Sequence, residues 1–293
     1  YSFPCHYLSL AGCWHGINSG IDRNANNRSS MLWQIERMLL ERKSQNLSMP
    51  RFLLMENVRN IMSKKHENNF EMWKKSLRDM GYVNYVFPLN AMYFGIPQKR
   101  IRAYMISIYV GKDEKLKKKI DNYFKKNDLT KITEPNQLNR KAIHIEDILR
   151  MDYSNPIYKK EAEESQPRDT PSRRDIYVDN EKLYSKGRFA EIAPTLTTKQ
   201  DRHPNSGVID FNSGKKGMST FRYITPREGF MFMGFDESDY ESLLRNNFPA
   251  NGRGDVFTRD KMNKMAGNSI VVNVLEEIFK QIDYIDKNIF REI

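Results

Sequence analysis

Short apolar runs alternate with helix-period stripes through the first 110 residues, and this alternation restricts the fold more than any other feature. Arg51-Phe52-Leu53-Leu54-Met55 reads as a buried strand cut by Glu56-Asn57-Val58. Phe70, Trp73, Leu77 and Met80 form a helical stripe that stops at Gly81, and Tyr82 to Phe87 returns as a strand. Ile101 to Val110 is a further strand, and Tyr1 to Phe3 leads into Pro4-Cys5 as a strand ending in a loop. Met31, Leu32, Ile35, Met38 and Leu39 give an amphipathic helix over Ser29 to Arg42, with Ser29 or Ser30 as its cap. Strand and helix in alternation imply an α/β fold around a parallel sheet.

From Gly111 the character changes. Seven lysines fall between Lys112 and Lys126, read as a solvated helix face, and Tyr153 to Lys186 is rich in Pro, Ser, Arg and Asp. A domain boundary is therefore expected near 109. Regular patterning resumes at Phe221, Thr225-Pro226 marks a helix start, and a short loop Ala266-Gly267-Asn268-Ser269 precedes a terminal helix striped with Ile270, Val274, Ile278 and Ile282. Lys plus Arg number 48 against 37 for Asp plus Glu, a net charge of +11, so the field attracts polyanions and nucleic acid is the default partner. No apolar run of about 18 residues offers a membrane span. Cys5 and Cys13 are too few for a disulfide framework or a zinc site, so no metal is expected and a reducing, cytoplasmic compartment is.

Polar clusters close three of the strands. They hold a thiol, Cys5, a carboxylate, Glu56, and two guanidinium groups, Arg100 and Arg102. Open α/β sheets carry their chemistry at such strand ends. A thiolate is a strong nucleophile, a carboxyl beside a ring nitrogen can share a proton, and arginine can hold a carbonyl oxygen or a phosphate. Together they suit attack on a heteroaromatic base.

With these residues in order, the chain resembles the DNA cytosine C5-methyltransferases of bacterial restriction-modification type. The matching stretches are Phe3-Pro4-Cys5 with Ser9, Glu56-Asn57-Val58 and Gln98-Lys99-Arg100-Ile101-Arg102. They continue through Ala193-Pro194-Thr195-Leu196-Thr197, Asp201 to Gly207, Thr225-Pro226-Arg227-Glu228 and Gly267-Asn268-Ser269-Ile270-Val271-Val272. The resemblance implies that Cys5 adds to C6 of a flipped-out cytosine in duplex DNA, which then takes a methyl group at C5 from S-adenosyl-L-methionine. It implies Glu56 at N3 and the exocyclic amine, Arg102 at the O2 carbonyl and Arg100 at a nearby phosphate. Pro4, Asn268 and Ser269 would touch the cofactor. Ser9, Gln98, Thr195, Thr197 and Arg202 would serve the DNA, with Gly12 to Arg28 closing on it as a mobile loop.

The implied fold is a Rossmann-like S-adenosylmethionine-dependent methyltransferase sheet with a smaller, mostly irregular target-recognition domain. Its expected divisions are 1–108 for the catalytic part, 109–258 for target recognition and 259–293 for a return to the catalytic part. His6 stands where the family usually has Gln. The family's glycine-rich cofactor turn and the acidic residue after it belong ahead of Tyr1. They are therefore expected from a preceding segment or a separate N-terminal chain, leaving the sheet incomplete at its N-terminus. A bacterial protein working beside the nucleoid follows from the resemblance. Two other readings stand beside it, tRNA cytosine methylation and a DNA-binding subunit without catalysis of its own.

Overall fold

A computed structural model describes residues 1–5, 7–8, 20–23, 27–249, 252 and 254–291. The chain divides into two compact units. The first comprises Tyr1–Leu89, Ile101–Ile132 and Glu277–Ile293, and the second comprises Asn90–Arg100 and Thr133–Glu276.

In the first unit, helix α1 (Leu32–Ser44) follows a short 3-10 turn whose cap is Asn27, accepting from the Ser30 amide, rather than either serine. Asn outperforms Ser here because its carbonyl reaches the exposed amide from the extended residue ahead of the turn. Strand β1 (Phe52–Val58) runs on through Glu56-Asn57-Val58 instead of stopping there. Helix α2 (Glu67–Asp79) and strand β2 (Tyr82–Asn90) follow, then β3 (Ile101–Tyr109). The sheet order is β1-β3-β2.

The sequence pattern implies parallel neighbours, yet β1 and β3 are antiparallel, pairing Phe52 with Ile108 and Val58 with Arg102. The link between β2 and β3 explains the difference. It holds one 3-10 turn, Ala91–Phe94, and no helix. A parallel crossover needs a dozen or more residues, so β3 turns back and enters beside β1. Across the other edge of β1, the Tyr1 amino group donates to the Leu54 carbonyl and the Glu56 amide donates to the Tyr1 carbonyl at 3.2 Å. That is the bond pair a parallel neighbour makes, so Tyr1 lies in strand register with Met55.

Helix α3 (Glu114–Lys126) carries the lysine run, and Asp113 caps it through the Lys115 and Leu116 amides. Its apolar side, Leu116, Ile120 and Phe124, is buried, with Phe124 against Tyr85 and Phe87 at ring separations of 4.1 and 5.6 Å. The first unit therefore extends past residue 109, because this stripe finds its partner on β2.

The second unit holds the one-turn helix α4 (Ile145–Ile148), α5 (Pro156–Ser165) and α6 (Pro171–Asp179). Four short strands follow, β4 (Lys182–Ser185), β5 (Arg188–Phe189), β6 (Val208–Asp210) and β7 (Phe221–Tyr223), in the order β5-β4-β6-β7. Helices α7 (Pro226–Met231), α8 (Glu237–Arg245) and α9 (Arg259–Asn268) complete it. Thr225 caps α7 in a capping box with Glu228, as Thr-Pro-x-x implies. Helix α9 continues through Ala266-Gly267-Asn268, so the expected loop there shrinks to the few residues before the terminal helix α10 (Val272–Tyr284). Helical glycine costs only about 1 kcal/mol relative to alanine, so Gly267 does not by itself end the helix.

Candidate active site

The first unit gathers one of the expected clusters. Glu56 lies near the end of β1, two residues before Val58, which pairs with Arg102. The Arg102 Nε stands 3.6 Å from Glu56 Oε1, with side chains 16% and 11% exposed. The other carboxylate oxygen accepts a 2.9 Å hydrogen bond from the Ser2 hydroxyl. A carboxylate held on one side by a hydroxyl and on the other by a guanidinium keeps a fixed orientation while remaining reachable from solvent.

Three side chains fix the backbone around Cys5. Asn57, the residue after Glu56, donates from Nδ2 to the Phe3 carbonyl at 3.0 Å, and its own Oδ1 accepts from the Val58 amide at 2.9 Å. Asn60 Nδ2 donates to the Leu8 carbonyl at 2.6 Å, and the Ser29 hydroxyl donates to the Pro4 carbonyl. The Leu8 amide closes a turn onto the Cys5 carbonyl at 2.9 Å. The thiol is half-buried. Cys5 thus sits on a turn tied to the segment that carries Glu56, and both of those pins, Asn57 and Asn60, escaped assignment from sequence. Ser9, His6 and most of Gly12 to Arg28 lie outside the described residues.

The second unit brings together motifs far apart in the chain. Residues Pro97 to Lys99 run beside Ala193: the Lys99 amide donates to the Ala193 carbonyl and the Ala193 amide to the Pro97 carbonyl, both at 2.8 Å. Thr195 donates its hydroxyl to the Lys99 carbonyl at 2.6 Å, and Thr197 donates its hydroxyl to the Lys199 carbonyl at 2.7 Å. Arg202 is exposed, 3.7 Å from Asp201. Asn268 is exposed and Ser269 half-buried at the C-terminal end of α9.

Two expected site residues sit elsewhere. Gln98, expected at the DNA, is fully buried; its Nε2 donates to the Phe232 carbonyl at 2.7 Å and its Oε1 accepts from the Leu196 amide at 2.8 Å. Arg100, expected at a phosphate, is 3% exposed and spends its guanidinium on three backbone carbonyls. Carbonyls arriving from separate segments need a donor when buried, and these two side chains supply it.

Arg222 and Glu228 form a pair with no solvent exposure, joined by two 2.8 Å bonds. Arg227 is likewise buried, with Glu161 and Glu237 around it. Burial raises the Glu161 carboxyl pKa despite the opposing pull of Arg227. The capping-box spacing of Thr225 and Glu228 was the only local signal for this network.

Among the described residues no helix is long and apolar enough to cross a membrane, and no group of His, Cys, Asp and Glu could hold a metal ion. The family model for C-5 cytosine-specific DNA methylase matches residues 1–284, and the chain belongs to that family. It is 31% identical over 284 residues to the type II methyltransferase M2.ScrFI of Lactococcus lactis subsp. cremoris, covering 96% of this chain and 65% of the relative. It is 32% identical over 290 residues to the orphan methyltransferase M.SssI of Spiroplasma monobiae, covering 96% and 64%. The chain therefore spans just under two thirds of the length of these relatives. The S. pombe Dnmt2 methyltransferase structure matches 92% of this chain and 76% of its own at a TM-score of 0.58 and 20% identity. The Entamoeba histolytica methyltransferase EhMeth matches 98% and 76%, also at 0.58, with 17% identity. These likenesses show the α/β methyltransferase fold.

Proposed function

We propose that the protein is a DNA cytosine C5-methyltransferase acting on duplex DNA, and that Cys5, Glu56 and Arg102 carry the chemistry. The observation that bears most on this is the Glu56 carboxylate, held between Ser2 and Arg102 on the strand whose next residue pins the Cys5 turn. A cytosine turned out of the helix needs three things at once. The Cys5 thiolate attacks C6, forming the sulfur–carbon bond and leaving electron density at C5. Glu56 shares a proton at N3 so that the ring does not carry the full negative charge, and Arg102 holds the O2 carbonyl. After methylation the proton at C5 leaves, the sulfur–carbon bond breaks and the thiolate is restored.

The S-adenosylmethionine of the family supplies the methyl group when bound. Asn268 and Ser269 offer polar side chains that fit one rim of such a site, whereas the Pro4 carbonyl is taken by Ser29 and the Ser269 carbonyl by Arg100. Residues 1–108 with 259–293, together with the lysine helix α3 that packs on β2, would form the catalytic part and the rest of 109–258 the target-recognition part, with Thr195, Thr197 and Arg202 toward the DNA. The net charge of +11 favours that partner, and the setting proposed is the bacterial cytoplasm beside the nucleoid.

Duplexes carrying 5-fluorocytosine test the proposal, because fluorine at C5 cannot leave as a proton and the enzyme stays attached. The full-length protein with cofactor should form a covalent adduct that disappears in Cys5→Ala and slows at least about a hundredfold in Glu56→Gln. An adduct that survives Cys5→Ala, or one that forms on RNA alone, overturns it.

A further inference from the structure

Arg100 meets two stretches that lie 96 and 167–169 residues further along the chain. Its Nη1 donates to the Leu196 carbonyl at 3.0 Å, and its Nη2 donates to the carbonyls of Gly267 at 3.1 Å and Ser269 at 2.8 Å. The Arg100 amide itself donates to Asn90 Oδ1 at 3.1 Å. Gly267 and Ser269 mark the C-terminal end of α9, where unpaired carbonyls gather and a positive charge is favoured. Leu196 lies between Thr195 and Thr197.

Gly267 closes the same junction by shape. A Cβ at this position would lie 2.6 Å from the Thr197 carbonyl carbon and oxygen and from the Thr198 nitrogen. Only a residue without a side chain lets the end of α9 come this near the Thr197 backbone. Guanidinium and glycine therefore set one distance from its two sides.

We infer that Arg100 is a positioning residue, fixing the Thr195–Thr197 stretch to the Gly267–Ser269 stretch so that the DNA-facing and cofactor-facing segments hold one mutual geometry. This rests on the methyltransferase reading above. The fork is essential to it: a lysine carries the same charge, but its single nitrogen cannot stand at both positions from which Nη1 reaches Leu196 and Nη2 reaches Gly267 and Ser269.

The test separates a clamp from a phosphate contact. In the full-length protein, Arg100→Lys should weaken duplex DNA and S-adenosylmethionine together, each about tenfold, because loss of a charge-assisted bond costs on that order. A phosphate contact would tolerate lysine, so near-wild-type DNA affinity in Arg100→Lys overturns the inference. Arg100→Gln should leave the slope of log affinity against log salt unchanged, whereas losing one phosphate contact would lower it by about 0.9; a fall of that size also overturns it. Gly267→Ala should reproduce the paired loss without touching any charge, and it keeps the test alive if Arg100→Gln does not fold. Weakening of DNA alone in Gly267→Ala refutes the coupling. Wild-type protein that binds duplex but fails the adduct assay sinks the catalytic reading while leaving the clamp measurable; wild-type protein that binds neither ligand sinks both.

Discussion

The buried Arg222–Glu228 pair gives the sharpest stability prediction. Each guanidinium terminus donates one 2.8 Å bond to the carboxylate, and Nε donates to the Tyr153 hydroxyl at 3.1 Å. Burial alone would lower the Arg222 pKa, but the Glu228 carboxylate and the Tyr153 hydroxyl turn the shift upward, so the guanidinium stays charged. Glu228 has two further donors, the amides of Arg150 and Thr225, both at 2.8 Å. Arg222→Met therefore strands a carboxylate that keeps two hydrogen bonds, and should cost about 3 kcal/mol. Glu228→Gln strands a cation and turns an amide N–H toward one of those backbone donors, and should cost about 4–5 kcal/mol, the upper part of the range for a broken buried pair. With a urea slope of about 2 kcal/mol/M, the midpoints should fall by about 1.5 M and about 2–2.5 M. Arg222→Met combined with Glu228→Leu should unfold at higher urea than Glu228→Gln alone, because no charge is left behind. Single variants within about 1 kcal/mol of wild type, or a double variant whose loss equals the sum of the singles, would refute the reasoning.

Two further predictions follow from the first unit. Ser2→Ala removes the 2.9 Å donor that orients Glu56 and should slow methyl transfer about tenfold at unchanged DNA affinity; an unchanged single-turnover rate sinks the orienting role. His66 is buried, its Nε2 has no hydrogen-bond partner among the described residues, and burial followed by the nearby Lys65 charge lowers its pKa below the ordinary 6.5. The unfolded chain then binds this proton more readily than the folded one, so the His66 contribution to stability is complete above 6.5 and is lost as pH falls through the window down to the lowered value. Thermal midpoints of wild type should drop across that window, and His66→Leu should flatten the drop; equal pH profiles for the two proteins would contradict it.

The Glu56–Arg102 contact was legible because Glu56 lies near the end of one strand and Arg102 near the start of its antiparallel partner, at the same end of the sheet, where polar groups survive beside an apolar core. The direction of β3 was not legible, since period-two patterning identifies a strand without naming its neighbour. The short link after β2 carried that information, and only the missing helix within it forces the antiparallel return. Arg100 and Arg102 look alike in sequence, two residues apart at one strand end. Their fates divide over 96, 167 and 169 residues of intervening chain, where the carbonyls of Leu196, Gly267 and Ser269 arrive at one of them and not the other. A buried carbonyl must find a donor, and an arginine already at the junction is the cheapest way to satisfy three. Local pattern can place a guanidinium at a strand end, but whether it meets substrate or backbone depends on which distant segments have unpaired groups to bring to it. The same holds for Gly267, which within α9 looks like a tolerated weak helix former until the Thr197 backbone packs against it.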